Sequence, residues 1–152
     1  MSRFPKLGPR AAALVSRGRV AHLATADATG RPHVVPICYA IEGITLYSVV
    51  DRKSKRTAPR RLRRIRNVSQ NPWVAVVIDT YVEDWRRLGF VLLEGRARVL
   101  EDGAEHGTAL RLLRRKYRQY RTMDLDGRPV IVVSIRRAVS WGRLGLPAGA
   151  AR

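Results

Sequence analysis

Five consecutive residues, Lys53-Ser54-Lys55-Arg56-Thr57, place three cations and two hydroxyls side by side. They follow the apolar run Ile44–Val50 and precede a helical pattern over Ala58–Gln70. The partial positive charge at a helix N-terminus disfavours nearby cations by about 0.3–1 kcal/mol each. Lys53, Lys55 and Arg56 crowd that end nonetheless. An anion seated there resolves the conflict, since free backbone N–H groups, the Thr57 hydroxyl and the three cations would converge on a phosphate. The same charges also fit a solvated basic face, and charge alone leaves both readings open.

His33-Val34-Val35-Pro36 puts a proline inside a strand pattern, where it cannot donate to a ladder. That marks either an edge strand or a place where a flat ring lies alongside. Trp85 and Trp141 suit ring stacking or ordinary core packing. Glu83-Asp84 could form a carboxylate pair, but so basic a chain favours salt bridges to neighbouring arginines. His22 alternates with apolar residues and reads as structural, and Cys38 reads as a small core residue rather than a nucleophile. His22, His33 and His106 have no metal-ligand spacing, a lone cysteine excludes a multi-cysteine metal site, and no metal is expected. No nucleophile elbow, Walker loop or dinucleotide-binding glycine fingerprint is present.

The elements that must position these residues fit one domain, 1–152, with a loose tail over 142–152. Hydrophobic periodicity predicts strands at Val20–Ala26, His33–Ile41, Ile44–Val50, Trp73–Thr80, Leu88–Leu100 and Val130–Ile135. It predicts helices at Pro9–Arg17, Ala58–Gln70 and Glu105–Tyr120. Trp73–Thr80 is almost wholly apolar and reads as buried on both faces. Gly95 inside the longest strand predicts a bulge or bend. Six antiparallel strands with two or three peripheral helices make a small barrel.

The charge is lopsided: 30 basic residues against 12 acidic ones, for +18. Arginine supplies 26 of the 30, a bias that a high-GC genome alone would also produce. Nine basic residues and no acid fall between Arg52 and Arg66, and six more between Arg111 and Arg121. Such fields call for an anionic partner: nucleic acid, a membrane surface or a phosphorylated small molecule. Tyr117 and Tyr120 fall on the apolar stripe of the last helix, which argues against nucleic acid. No apolar run reaches the roughly 20 residues of a membrane span. Residues 1–10 lack a signal-peptide stretch, and a cytoplasmic protein is expected.

Val20-Ala21-His22-Leu23-Ala24-Thr25, the turn Asp27–Pro32, and His33-Val34-Val35-Pro36-Ile37 resemble the opening of the pyridoxamine-phosphate-oxidase-like split-barrel flavoproteins. Lys53–Thr57 followed by Leu62, Ile65, Arg66, Asn67 and Asn71-Pro72 resembles that family's phosphate-binding strand–helix junction. Glu83-Asp84-Trp85 and Glu94-Gly95-Arg96-Ala97 resemble the branch that uses the deazaflavin coenzyme F420. The resemblance spans Val20–Ile135 and implies a six-stranded split barrel, FMN-binding in type, forming a homodimer with two cofactor sites at the subunit interface. It implies that Lys53, Lys55, Arg56 and Thr57 hold the cofactor phosphate and that Val35, Pro36, Val49 and Val50 line the ring. Trp85 or Leu88 would approach from the other subunit, and Trp141 would close the site. A polyglutamate tail would suit Arg60, Arg61 and Arg64. The implied activity is F420H2-dependent hydride transfer to a small unsaturated or conjugated substrate, with no dedicated catalytic side chain and a proton from water or His33. FMN is the alternative cofactor, and a non-catalytic cofactor carrier the alternative role.

Overall fold

A computed structural model describes residues 7–51 and 61–144. Its elements run α1 (Pro9–Arg17), β1 (Ala21–Ala26), β2 (Pro32–Ile37), β3 (Ala40–Glu42), β4 (Thr45–Val49), α2 (Arg63–Gln70), β5 (Trp73–Thr80), β6 (Gly89–Leu100), α3 (Gly103–Lys116) and β7 (Val130–Gly142). The strands form one antiparallel sheet in the order β2-β1-β5-β6-β7-β4-β3.

That order forces the sheet to roll. Seven strands about 4.8 Å apart would span roughly 29 Å if flat. Yet β2 and β3, the two ends of the sheet, are separated in the chain only by Cys38 and Tyr39. From Ile37 to Ala40 the backbone reaches at most about 11 Å. The edges therefore meet at a seam, and the result is a split barrel of seven strands rather than six. The expected strand His33–Ile41 is in fact two, broken at Cys38-Tyr39 where the chain passes from one edge to the other. Pro36 does lie on an edge strand, opposite His22.

The barrel interior is apolar. Leu23, Leu46, Val76, Val91, Leu93 and Val133 are each fully enclosed, contributing about 1.5–3 kcal/mol apiece. Helix α1 plugs one opening with Ala11, Leu14 and Val15. Helix α2 packs Ile65 and Val68 into the core, and its buried Asn67 Nδ2 donates to Thr25 Oγ1 of β1 at 3.0 Å. A second cluster lies outside the barrel under α3, where Ala109, Leu110 and Leu113 cover Tyr47, Val130 and Val132. The strands buried on both faces are thus β4 and the first half of β7. Expected to be buried twice, β5 alternates instead: Val74, Val76 and Ile78 are buried, Ala75 and Val77 half-buried, and Trp73 exposed. Helix α3 covers the outer face of β4 and β7, and no described helix covers that of β5.

Several boundaries move. Helix α2 starts at Arg63 after an extended Leu62, so the expected start at Ala58 falls outside the described residues. Helix α3 stops at Lys116, and a 3-10 turn, Arg118–Arg121, carries Tyr120 into the second core. Strand β7 continues past Ile135 to Gly142 by pairing with the first half of β6. The expectation of a loose tail from 142 fails at its start: Gly142 is in the ladder and Leu144 is buried, while 145–152 lie outside the described residues. Gly95 marks a bulge as expected, since the β6–β7 register shifts between Glu94 and Gly95.

Candidate active site at the barrel seam

A cavity of about 180 Å³ opens at the seam, lined by Val20, Pro36, Ile37, Cys38, Ser48, Val49, Asp51, Arg64 and Tyr120. Its wall is apolar where β2 and β4 end, and polar where Asp51, Arg64 and Tyr120 gather. Asp51 is the last described residue before the basic segment, so the cavity adjoins the stretch that holds Lys53, Lys55, Arg56 and Thr57. Those four lie outside the described residues.

The seam is held by side chains from distant elements. Tyr117 Oη accepts the Tyr39 N–H at 3.0 Å and can donate its one proton to the carbonyl of Arg19 at 2.9 Å or of Tyr39 at 3.1 Å. Ser48 Oγ donates to the Cys38 carbonyl at 2.8 Å. Tyr39 Oη donates to the Val15 carbonyl. Lys116 Nζ sits 3.8 Å over the Tyr39 ring, enclosed and without a hydrogen-bond partner. Burial, with Arg19 nearby, pulls its pKa down to about 8.

In the cavity, Tyr120 Oη donates to Asp51 Oδ2 at 2.8 Å. Burial and that bond both push the Tyr120 pKa upward, so Tyr120 stays protonated and Asp51 stays the acceptor. Arg64 is half-buried; burial pulls its pKa down and the Asp51 charge opposes that shift. No acidic residue lies in the first turn of α2, so Arg63 and Arg64 face the unfavourable end of the helix dipole.

The expected site residues separate into groups. Pro36 and Val49 line the cavity, whereas Val50 is in the barrel core and Val35 packs against it. Arg61 is exposed and outside the lining. Trp85 is 71% exposed, Leu88 is half-buried, and Trp141 stacks on Phe90 with centroids 5.9 Å apart. These three lie at the far end of the β6–β7 ladder. Gly89 pairs with Gly142 there, and Leu100 pairs with Val130 at the end where Val49 also joins Val130. That ladder runs about 35–40 Å at roughly 3.3 Å per residue. None of the three is among the residues that line the cavity. His33 is half-buried, with Nδ1 lacking a partner, and is not in the lining. Burial, then Arg63 and Arg64, lowers its pKa.

Other readings also shift. Cys38 stands at the strand break on the cavity wall, and His22 is exposed on the outer face of β1. Asp84 does pair with Arg86, at 2.9 Å. Among the described residues no group of three His, Cys, Asp or Glu could hold a metal ion, and no helix is long and apolar enough to cross a membrane. The sequence reading missed Asp51 and Tyr120 as site residues. They are 69 positions apart, and no local pattern signals their meeting.

The residue types fit a molecule that joins a flat ring to an anion. Pro36 presents no N–H, Ile37 and Val49 give an apolar wall, and Arg64 supplies a cation. At about 180 Å³, the cavity falls below the roughly 300 Å³ at which small-molecule pockets begin.

Comparison with known proteins agrees with this architecture. The conserved hypothetical protein Rv2991 from Mycobacterium tuberculosis superposes with a TM-score of 0.73 at 20% identity, covering 100% of this chain and 96% of that one. A FAD-binding protein from Mesorhizobium loti gives 0.64 at 24% identity over 88% and 94%. HutZ, the heme storage protein from Vibrio cholerae, gives 0.67 at 14% identity over 92% and 99%. These likenesses are of fold. No curated protein matches the sequence. The family model described as pyridoxamine 5'-phosphate oxidase matches residues 7–142, nearly the whole rolled sheet and its seam, and the chain belongs to that family.

Proposed function

We propose that this protein is an oxidoreductase that binds reduced coenzyme F420 and transfers a hydride to a small unsaturated or conjugated molecule. The observation that carries the reading is the seam cavity. There an apolar wall of Pro36, Ile37 and Val49 adjoins Asp51 and Arg64, immediately before Lys53–Thr57. A ring against the wall would have its phosphate at the basic segment. The deazaflavin over FMN is favoured by the arginines Arg60, Arg61 and Arg64, which suit a longer anionic tail, and by the resemblance of Glu83-Asp84-Trp85 to the deazaflavin branch.

When bound, the deazaflavin supplies the hydride; the protein supplies placement and electrostatics. Pro36, Ile37 and Val49 would shape one face of the ring site and exclude water from it. Lys53, Lys55, Arg56 and Thr57 would hold the phosphate. No side chain is assigned to proton transfer, since His33 lies outside the cavity lining. We further propose a homodimer located in the cytoplasm, with Trp85, Leu88 and Trp141 completing the partner's site. The half-buried Ala75 and Val77 and the exposed Trp73 on the outer face of β5 support such an interface. FMN is the second reading, favoured by the fold shared with a protein named as FAD-binding.

Fluorescence-polarisation titration of the purified protein with F420, with FMN alongside, tests the reading. Tight F420 and weak FMN binding is the expected result. Preference for FMN moves the protein to the flavin reading, and binding of neither overturns both. A Lys55→Ala/Arg56→Ala double variant should weaken binding at least tenfold with the fold intact. Multiple turnover with bound reduced cofactor separates an enzyme from a carrier.

A further inference from the structure

We propose that the outer side of α3 and the 3-10 turn after it bind the phosphate backbone of a nucleic-acid duplex, without reading its sequence. The proposal stands apart from the cofactor reading above. Residues 106–123 contain no acid. Arg111 and Arg115 are exposed, one turn apart and about 6 Å along the axis, on the side of α3 opposite the buried Ala109, Leu110 and Leu113. Arg118 and Arg121 continue the exposed surface on the turn. Like charges four residues apart destabilise a helix. Ion pairs of the kind that would relieve them form elsewhere, at Arg86–Asp84, Arg98–Glu105 and Arg137–Glu94.

The backbone orders this surface. Arg121 Nε donates to the Arg114 carbonyl at 3.0 Å, and its Nη2 donates to the Arg115 carbonyl at 3.2 Å. Arg19 Nη1 donates to the Lys116 carbonyl. Three carbonyls left open at the end of α3 are thereby closed. In return Arg114 Nε donates to the Tyr120 carbonyl at 3.2 Å, which holds the turn against the helix. A carbonyl orders a guanidinium without cancelling its charge. The helix end supplies only about half a negative charge, against Arg19, Arg114, Arg115, Arg118 and Arg121. A guanidinium carries five N–H donors, so Arg19 and Arg121 keep donors for phosphate oxygens in positions already set. The cations are spread along a surface rather than gathered around one point, which suits a row of phosphates and not a single small anion. Tyr117 and Tyr120 pack into the second core, so no base stacks on them and the contacts are to the backbone alone. None of the exposed large apolar side chains belongs to α3 or its turn, and docking on a membrane surface would call for such anchors.

The test is fluorescence anisotropy of a labelled DNA duplex of about 20 base pairs, in two unrelated sequences, between roughly 50 and 200 mM KCl. Three proteins are compared: wild type, Arg111→Gln/Arg115→Gln, and Arg10→Gln/Arg31→Gln. The last removes the same charge from exposed positions on α1 and the β1–β2 turn. Glutamine keeps helix propensity, neither Arg111 nor Arg115 lends its side chain to the clamp, and thermal melts confirm folding. Wild type should bind both sequences alike, with log K falling against log salt at a slope of about −4, as four or five phosphate contacts require. Arg111→Gln/Arg115→Gln should bind about tenfold or more weakly at 100 mM KCl and flatten the slope by about 2. Arg10→Gln/Arg31→Gln should stay within about threefold of wild type. Equal losses in the two variants would reduce the effect to net charge and overturn the proposal. No binding by wild type at 100 mM KCl, or no change in Arg111→Gln/Arg115→Gln, would also overturn it. So would capture by phosphatidylserine vesicles with the duplex left unbound, which would make the partner a membrane surface.

Discussion

Tyr117 Oη and the Tyr39 backbone meet at the corner of the split barrel. The hydroxyl accepts the Tyr39 N–H at 3.0 Å and stands 3.1 Å from the Tyr39 carbonyl oxygen. A chain that leaves one sheet edge to join the other loses its ladder partners at the turn, and buried backbone groups without partners are costly. One tyrosine side chain supplies them here, from 78 residues away. Tyr117→Phe keeps the ring, including its packing on Tyr120 at 5.4 Å between centroids, and removes only the hydroxyl. It should destabilise the protein by about 1–3 kcal/mol. Urea unfolding checks this: the midpoint should fall with an unchanged slope.

Lys116 gives the seam a pH signature. Its pKa is pulled down to about 8 by burial and by Arg19, below its unfolded value near 10.5. Below pH 8 both states carry the charge and the folded state bears the full cost of burying it. Between pH 8 and 10.5 the folded state sheds the proton first, so stability rises with pH. Tyr117, pushed up to about 12 mainly by burial, acts oppositely. Above pH 10 the unfolded tyrosine ionises first and stability falls, so the rise is confined to about pH 8–10. Lys116 is only half-buried, and solvent screening limits the gain to about 1 kcal/mol. Melting curves at pH 7.5 and 9.5 should show this increment in the wild type and its loss in Lys116→Met. The same increment in both proteins would assign it to another group.

Two glycines should respond in opposite directions. A Cβ on Gly95 would stand 2.2 Å from the Ser134 carbonyl oxygen, where only backbone movement could make room. Gly95→Ala should therefore cost about 2 kcal/mol or more, and it should loosen the β6–β7 ladder at its bulge. A Cβ on Gly107, inside α3, meets nothing within 4 Å. Gly107→Ala should stabilise by up to about 1 kcal/mol. Denaturation midpoints moving in the same direction for both would contradict this account of the bulge.

The strands were legible where one face is wet. In β6, Val91, Leu93 and Ala97 alternate with Glu94, Arg96 and Arg98, and the period of two can be read directly. Where the period of two was missing, a continuous apolar run marked the strand instead. Val130–Val133 reads as a strand from that run alone, and it is apolar throughout because α3 covers one face and the barrel the other. The second half of β7 hides behind Arg136 and Arg137, which are exposed on the outer ladder. In the site, Pro36 announced an edge because proline has no N–H. Asp51 and Tyr120 announced nothing, because a hydrogen bond across 69 residues leaves no spacing to read.

The shared-site proposal has its own consequence. Trp85 and Trp141 are 71% and 57% exposed and are not among the residues that line their own chain's cavity, so the proposal gives them their role in binding in a second copy. Light scattering should give twice the chain mass. Trp85→Ala should leave thermal stability unchanged, because so exposed a side chain packs on little, and should weaken cofactor binding. A 1:1 mixture of Trp85→Ala with Lys55→Ala/Arg56→Ala, unfolded and refolded together, then discriminates. In a two-fold symmetric dimer the mixed species carries both lesions in one site and none in the other, so about a quarter of all sites should regain full affinity. A monomer would remove the shared site. Full-affinity binding by Trp85→Ala alone would take Trp85 out of it, and a refolded mixture with no recovered sites would place all of the binding residues in one chain.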